Sequence, residues 1–172
     1  NSASVLGRQL IYAENFRLPS TPMEAYSFAI NYRSPKFWFV SLTGSYFDKS
    51  YLSMNPLRRT WDALQFAVPK SDTYNAIFDQ TKFDAQYTVD FFGGYSWKLP
   101  KDFEINKKST FLVFNVGVNN ILNNKDIVTG GFEQLRYDAQ LASTDPLQVG
   151  KFPPKLFYAY GLNFFASMTL RF

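Results

Sequence analysis

Apolar side chains at every second position, in runs of about ten residues, constrain this chain more than any other feature, because only an extended strand puts alternate residues on one face. In EAYSFAINYR, Tyr26, Phe28, Ile30 and Tyr32 share one face, and Ala25, Ser27, Ala29, Asn31 and Arg33 share the other. FWFVSLTGSYF sets Trp38, Val40, Leu42 and Tyr46 opposite Ser41, Thr43 and Ser45. AQYTVDFFGGYSWK carries Tyr87, Val89, Phe91, Tyr95 and Trp97 against Thr88, Asp90, Ser96 and Lys98. TFLVFNVGVNN aligns Leu112, Phe114, Val116 and Val118 against Asn115, Gly117 and Asn119, and GLNFFASMTLRF closes with Leu162, Phe164, Ala166, Met168, Leu170 and Phe172. The chain is therefore expected to be all-β and antiparallel, with strands over 24–33, 37–47, 85–98, 110–120 and 158–172.

The connections alternate too. Residues 34–36 make a tight turn and 99–109 a short polar link, whereas 1–22, 48–84 and 121–157 are long. Short turns at one end of a sheet and long loops at the other are the habit of outer-membrane barrels, and strands of about ten residues suit the hydrocarbon thickness. Tyr32, Trp38, Trp97 and Phe172 fall near the short-turn end, and Tyr26, Tyr46, Tyr87 and Tyr158 near the long-loop end, as two aromatic girdles would. The expected fold is thus a transmembrane antiparallel β-barrel, with 1–22, 48–84 and 121–157 as external loops. A soluble β-sandwich also alternates apolar with polar and is the competing architecture. Bacterial single-chain barrels use an even number of strands. Five strands should therefore not close on themselves, and the strands at 24–33 and 161–172 should each keep an edge for polypeptide outside this sequence.

Composition excludes several function classes. At 46% hydrophobic and 19% aromatic the chain is too apolar for disorder. It has neither Cys nor His, which removes disulfides, histidine ligands and any Ser-His-Asp or Cys-His set, so no enzymatic role is expected. The net charge is +4, but no basic run is longer than Arg58-Arg59 or Lys107-Lys108, which argues against nucleic acid. No stretch approaches the ~18 apolar residues of a membrane helix. The opening NSASVLGRQL lacks the charged start and apolar centre of a secretion signal, so the chain is expected to be mature or a fragment.

NVGVNNILNNKDIVTGGFEQLRYD followed by KFPPKLFYAYGLNFFASMTLRF resembles the carboxyl-terminal end of TonB-dependent outer-membrane receptors, and YRSPKFWFVSLTGSYFDKSYLSMNPLRRT and FDQTKFDAQYTVDFFGGYSW resemble their preceding strands. The resemblance covers about residues 21–172. It implies the last five strands of a barrel of about 22 strands around a plugged lumen. It further implies active import of a scarce nutrient (a metal chelate, vitamin, glycan or peptide) across a Gram-negative outer membrane, with no cofactor. The implied partners are membrane lipid, the rest of the barrel and its plug, TonB acting through that plug, the barrel-assembly machinery and, in one branch, a surface lipoprotein. These 172 residues contain no plug or TonB-contacting segment. In the family the terminal strand is the assembly signal, and Gly161, Phe164, Met168, Leu170 and Phe172 match that pattern. A passive porin would share every strand signature, and a soluble ligand-binding module is the third reading.

Function concentrates on loops held by a rigid scaffold, which makes Arg58, Arg59, Trp61, Tyr74, Phe132, Arg136 and Tyr137 the candidate substrate contacts. NNILNNKD offers oxygen ligands for calcium, but its Asn and Asp spacing is explained by turn chemistry, so no metal is expected. Gly93-Gly94 is read as making room for a bend or a large neighbouring side chain rather than for a ligand. Basic and acidic residues balance in both later loops, five of each in 48–84 and four of each in 121–157, so neither forms a one-sign funnel.

Overall fold

The computed structural model describes residues 9–61, 68–105, 108–134, 137–138, 150–151 and 153–172. Its main feature is a five-stranded antiparallel sheet built from β1 (Glu24–Arg33), β2 (Trp38–Asp48), β3 (Gln86–Lys98), β4 (Phe111–Asn119) and β9 (Asn163–Arg171). The order is β1-β2-β3-β4-β9, so each strand pairs with its neighbour in sequence except for the excursion between β4 and β9. β1 and β9 occupy opposite edges and do not pair with each other. The sheet is open among the described residues.

Two tight connections fix the register. Between β1 and β2, Ser34 N–H donates to the Trp38 carbonyl at 2.8 Å and Lys36 N–H to Ser34 Oγ at 3.1 Å. Phe37 completes this turn at a φ of 64°, the left-handed region that a bulky side chain seldom enters. Between β3 and β4, Leu99 N–H donates to the Thr110 carbonyl at 2.9 Å. Tyr26 then faces Tyr46, Leu42 faces Phe91, Tyr95 faces Phe114, and Phe114 faces Met168. Because a side chain changes face with every residue, these pairings collect all the apolar sets of the sequence on one face, where Glu24 and its partner Asp48, at the long-loop end, are the charged residues of the five strands.

Among the described residues no second layer covers that face. Phe28 is 71% exposed, Ile30 58% and Met168 67%. Leu42, Val116 and Leu170 are also exposed, and Val40, Val89, Phe91 and Phe114 are half-buried among their own neighbours. Among the described residues the buried apolar side chains are Leu52, Ile77 and Phe83, and all three belong to the loops.

The loops form a second compact unit from 1–22, 49–84 and 128–157. It contains a 3₁₀ turn (Pro56–Arg59) and α1 (Asp72–Phe78), whose N-cap Ser71 accepts from Tyr74 N–H. Two small sheets complete it, β5 (Val128–Phe132) with β8 (Lys155–Tyr158), and β6 (Tyr137–Asp138) antiparallel to β7 (Gly150–Lys151). The stem of the first long loop zips up as Leu52 N–H donates to the Thr81 carbonyl and Phe83 N–H to the Ser50 carbonyl. Gln80 tethers the amino-terminal segment, its amide donating to Arg17 O and Leu52 O while Arg17 N–H donates to its Oε1.

One boundary is corrected. The terminal strand, expected to run from 158, begins at Asn163, because the chain bends at Gly161-Leu162 and residues 155–158 belong to β8 instead. A Cβ on Gly161 would lie 2.5 Å from Asn123 Oδ1, the same oxygen that accepts from Leu162 N–H at 3.0 Å. Glycine lets the Asn123 side chain close that bend.

Candidate functional site

The loop residues divide sharply by exposure. Trp61 is 62% exposed and Phe132 44%, with Phe132 beside the Phe157 ring at 6.1 Å. Tyr74 is half-buried and stacks on Phe78 at 5.6 Å. Arg136 lies outside the described residues, as does the side chain of Tyr137, whose backbone pairs with Lys151.

Arg58 and Arg59, expected to meet substrate, are 1% and 0% exposed, and that expectation is corrected for both. Arg59 is an internal tie. Its guanidinium donates to both oxygens of Glu133, Nη2 reaching Oε1 at 2.7 Å, and also to the carbonyls of Phe78, Asn55 and Asp79. The Phe16 ring lies under it at 4.9 Å from Cζ, and Asn55 N–H donates to Glu133 Oε2 at 2.9 Å. One ion pair therefore joins all three segments of the loop body. The fork geometry satisfies the donors that burial would otherwise strand. Sequence reasoning missed Glu133, which lies 74 residues from Arg59 and carries no local pattern.

In the sheet unit the polar face combines amides with an unforeseen row of phenyl rings. Asn119 Nδ2 donates to Asn163 Oδ1 at 2.8 Å and Asn115 Nδ2 to Ser167 Oγ at 3.4 Å, so two cross-strand amide bonds tie β4 to β9. Phe39 and Phe92 sit at 5.4 Å, and Phe92 and Phe165 stack at 6.1 Å. The row exists because of glycines. Gly94 is the register partner of Phe39, and Gly117 stands between Phe92 and Phe165 on neighbouring strands. A Cβ on Gly94 would lie 2.5 Å from the Phe39 ring, and one on Gly117 would meet the Phe165 ring. The Gly93-Gly94 pair thus makes room for a large neighbouring side chain, as expected. A Phe opposite a Gly across the register is the signal that could have revealed the row.

Gly117→Ala is expected to cost about 1 kcal/mol, near the low end of overpacking because the obstructing atoms are the far edge of a ring. Equilibrium unfolding of the full protein, with Phe165→Ala as the relieving second change, measures it.

NNILNN closes on itself as a turn. Asn120 and Asn123 have φ near +52° and +51°. Asn120 Oδ1 accepts from Asn124 N–H at 3.0 Å and its amide donates to the Asn124 carbonyl at 2.8 Å, while Asp90 Oδ1 accepts from Asn120 N–H at 2.7 Å. The side-chain oxygens are engaged by backbone, which is the turn chemistry expected there.

Of the residues matching an assembly signal, Phe164, Met168 and Leu170 lie on the exposed apolar face of β9, Phe172 follows the strand at 61% exposure, and Gly161 is the hinge before it. Comparison with known proteins finds no matching family model, no matching curated protein and no matching solved structure.

Proposed function

We propose that this chain is the carboxyl-terminal wall of a transmembrane β-barrel in a Gram-negative outer membrane, belonging to a TonB-dependent importer of a scarce nutrient. The observation that carries the reading is a continuous sheet face of large apolar side chains, charged only at its long-loop margin by Glu24 and Asp48 and without a covering layer among the described residues. In water such a face would aggregate, since monomeric soluble proteins rarely leave apolar patches of more than a few hundred Å² exposed. In lipid it costs nothing. A soluble sandwich needs a second sheet on that face, and none is present among the described residues.

The other features fit the same placement. The amide and phenyl face lines the lumen, hydrated in part and seated in part against the plug. The two open edges continue into further strands, because an unpaired edge in hydrocarbon costs several kcal/mol per unsatisfied group. The loop body faces the exterior, with Trp61 and Phe132 as its accessible aromatics. The bonded loop core makes a rigid mount for them.

Uptake tests the reading. The full protein carrying this chain should fractionate with the outer membrane, and deleting TonB should abolish accumulation of its substrate while leaving surface binding intact. Accumulation that persists without TonB would assign a passive porin, and a protein recovered in the soluble fraction would refute the barrel.

A further inference from the structure

Charge is sorted along the sheet. At the short-turn end stand six exposed basic residues, Arg33, Lys36, Lys98, Lys101, Lys108 and Arg171, against two acidic ones, Asp102 and Glu104. The other end gathers Glu24, Asp48, Asp90 and Asp126 with Lys125 alone opposing them among the described residues of this unit. The apolar face has a matching feature nearer the basic end. Gly93 lies between Val40 and Val116 in the register, the Phe91 ring leans over it, 2.9 Å from where a Cβ would stand, and beside it runs an almost wholly apolar groove of about 270 Å³ walled by Trp38, Phe91, Tyr95 and Phe114. A similar dent over Gly44 lies toward the acidic end.

We propose that the short-turn end holds an anionic glycerophospholipid, its phosphate among Lys36, Lys101 and Lys108 of the short connections and one acyl chain in the groove beside Gly93. From Gly93 the strand runs five more residues to its end at Lys98, roughly 16 Å along its length and about 12 Å in depth at the tilt of a barrel strand, which keeps the groove and the short connections within the ~15 Å of one leaflet. Trp38, Tyr95 and Trp97 lie between groove and lysines, at the level where amphipathic rings meet headgroups. Basic residues at a membrane surface favour anionic over zwitterionic lipid. The inference rests on the membrane placement proposed above and adds a lipid preference to it.

Reconstituting the full protein in phosphatidylethanolamine vesicles with and without phosphatidylglycerol, followed by mass spectrometry of the lipid kept after detergent extraction, tests it. The unaltered protein should retain phosphatidylglycerol preferentially. Joint change of Lys36, Lys101 and Lys108 to Gln, all exposed positions, should lower that retention on the order of tenfold or more. Gly93→Leu should lower it with the charges intact. Equal retention of both lipids, or phosphatidylglycerol retention that survives the three changes, would overturn the lipid site while leaving the barrel standing. Failure to enter vesicles of either composition would overturn both.

Discussion

Glu133→Ala is expected to cost the loop body about 3–5 kcal/mol, because it strands the Arg59 guanidinium in a site that solvent does not reach. The side chains of this pair are 0% and 1% exposed. Loss of Glu133 also removes the acceptor for Asn55 N–H and leaves Arg59 only its carbonyl partners. Limited proteolysis of the full protein should then cut within 49–84 and 128–157 while β1 to β4 stay protected. Changing both partners together, Arg59→Met with Glu133→Leu, should recover much of the loss, since replacing a buried pair by apolar groups is often nearly neutral. Equal damage from the single and double changes would show that the pair is not the tie described here.

Val116→Arg is expected to cost about 2–4 kcal/mol in the membrane-embedded protein, and Asn115→Arg much less. The two residues are adjacent in β4 and lie on opposite faces. Val116 sits mid-strand on the apolar face, paired with Gly93 and Ala166, so under the proposed membrane placement a guanidinium there would have only hydrocarbon to enter. Asn115 faces the amides and Ser167. Urea titration of the two variants in bilayers measures the difference. Equal costs at both positions would mean that the two faces meet the same solvent.

How far these features could be read in advance depends on the range of the interaction behind each. The strands of the central sheet came out within one or two residues, because a period of two is written locally and register follows from tight turns such as Ser34–Phe37. The terminal strand was read too long, since Tyr158, Tyr160 and Leu162 continue the apolar alternation straight through the bend at Gly161. The phenyl row was missed because Phe39, Phe92 and Phe165 sit at positions where alternation leads one to expect polar side chains. Only the cross-strand register sets them over Gly94 and Gly117. Arg58 and Arg59 looked like solvent-facing loop cations, and nothing in their neighbourhood announces a partner as distant as Glu133. Trp61 and Phe132 are accessible, being aromatics on loop segments that the buried tie does not enclose.

Because the chain has no native cysteine, single-cysteine labelling in intact outer membranes addresses the solvent of each face directly. Cysteines placed singly at Phe28, Ala29, Ile30, Asn31, Phe114, Asn115 and Val116 would be exposed to a membrane-impermeant, water-soluble maleimide and, separately, to a lipid-soluble one. Labelling should alternate. Phe28, Ile30, Phe114 and Val116 should react only with the lipid-soluble reagent, and Ala29, Asn31 and Asn115 should be the positions open to water. Ready labelling of the even-numbered positions by the water-soluble reagent would place the apolar face in water and contradict the membrane placement of this sheet.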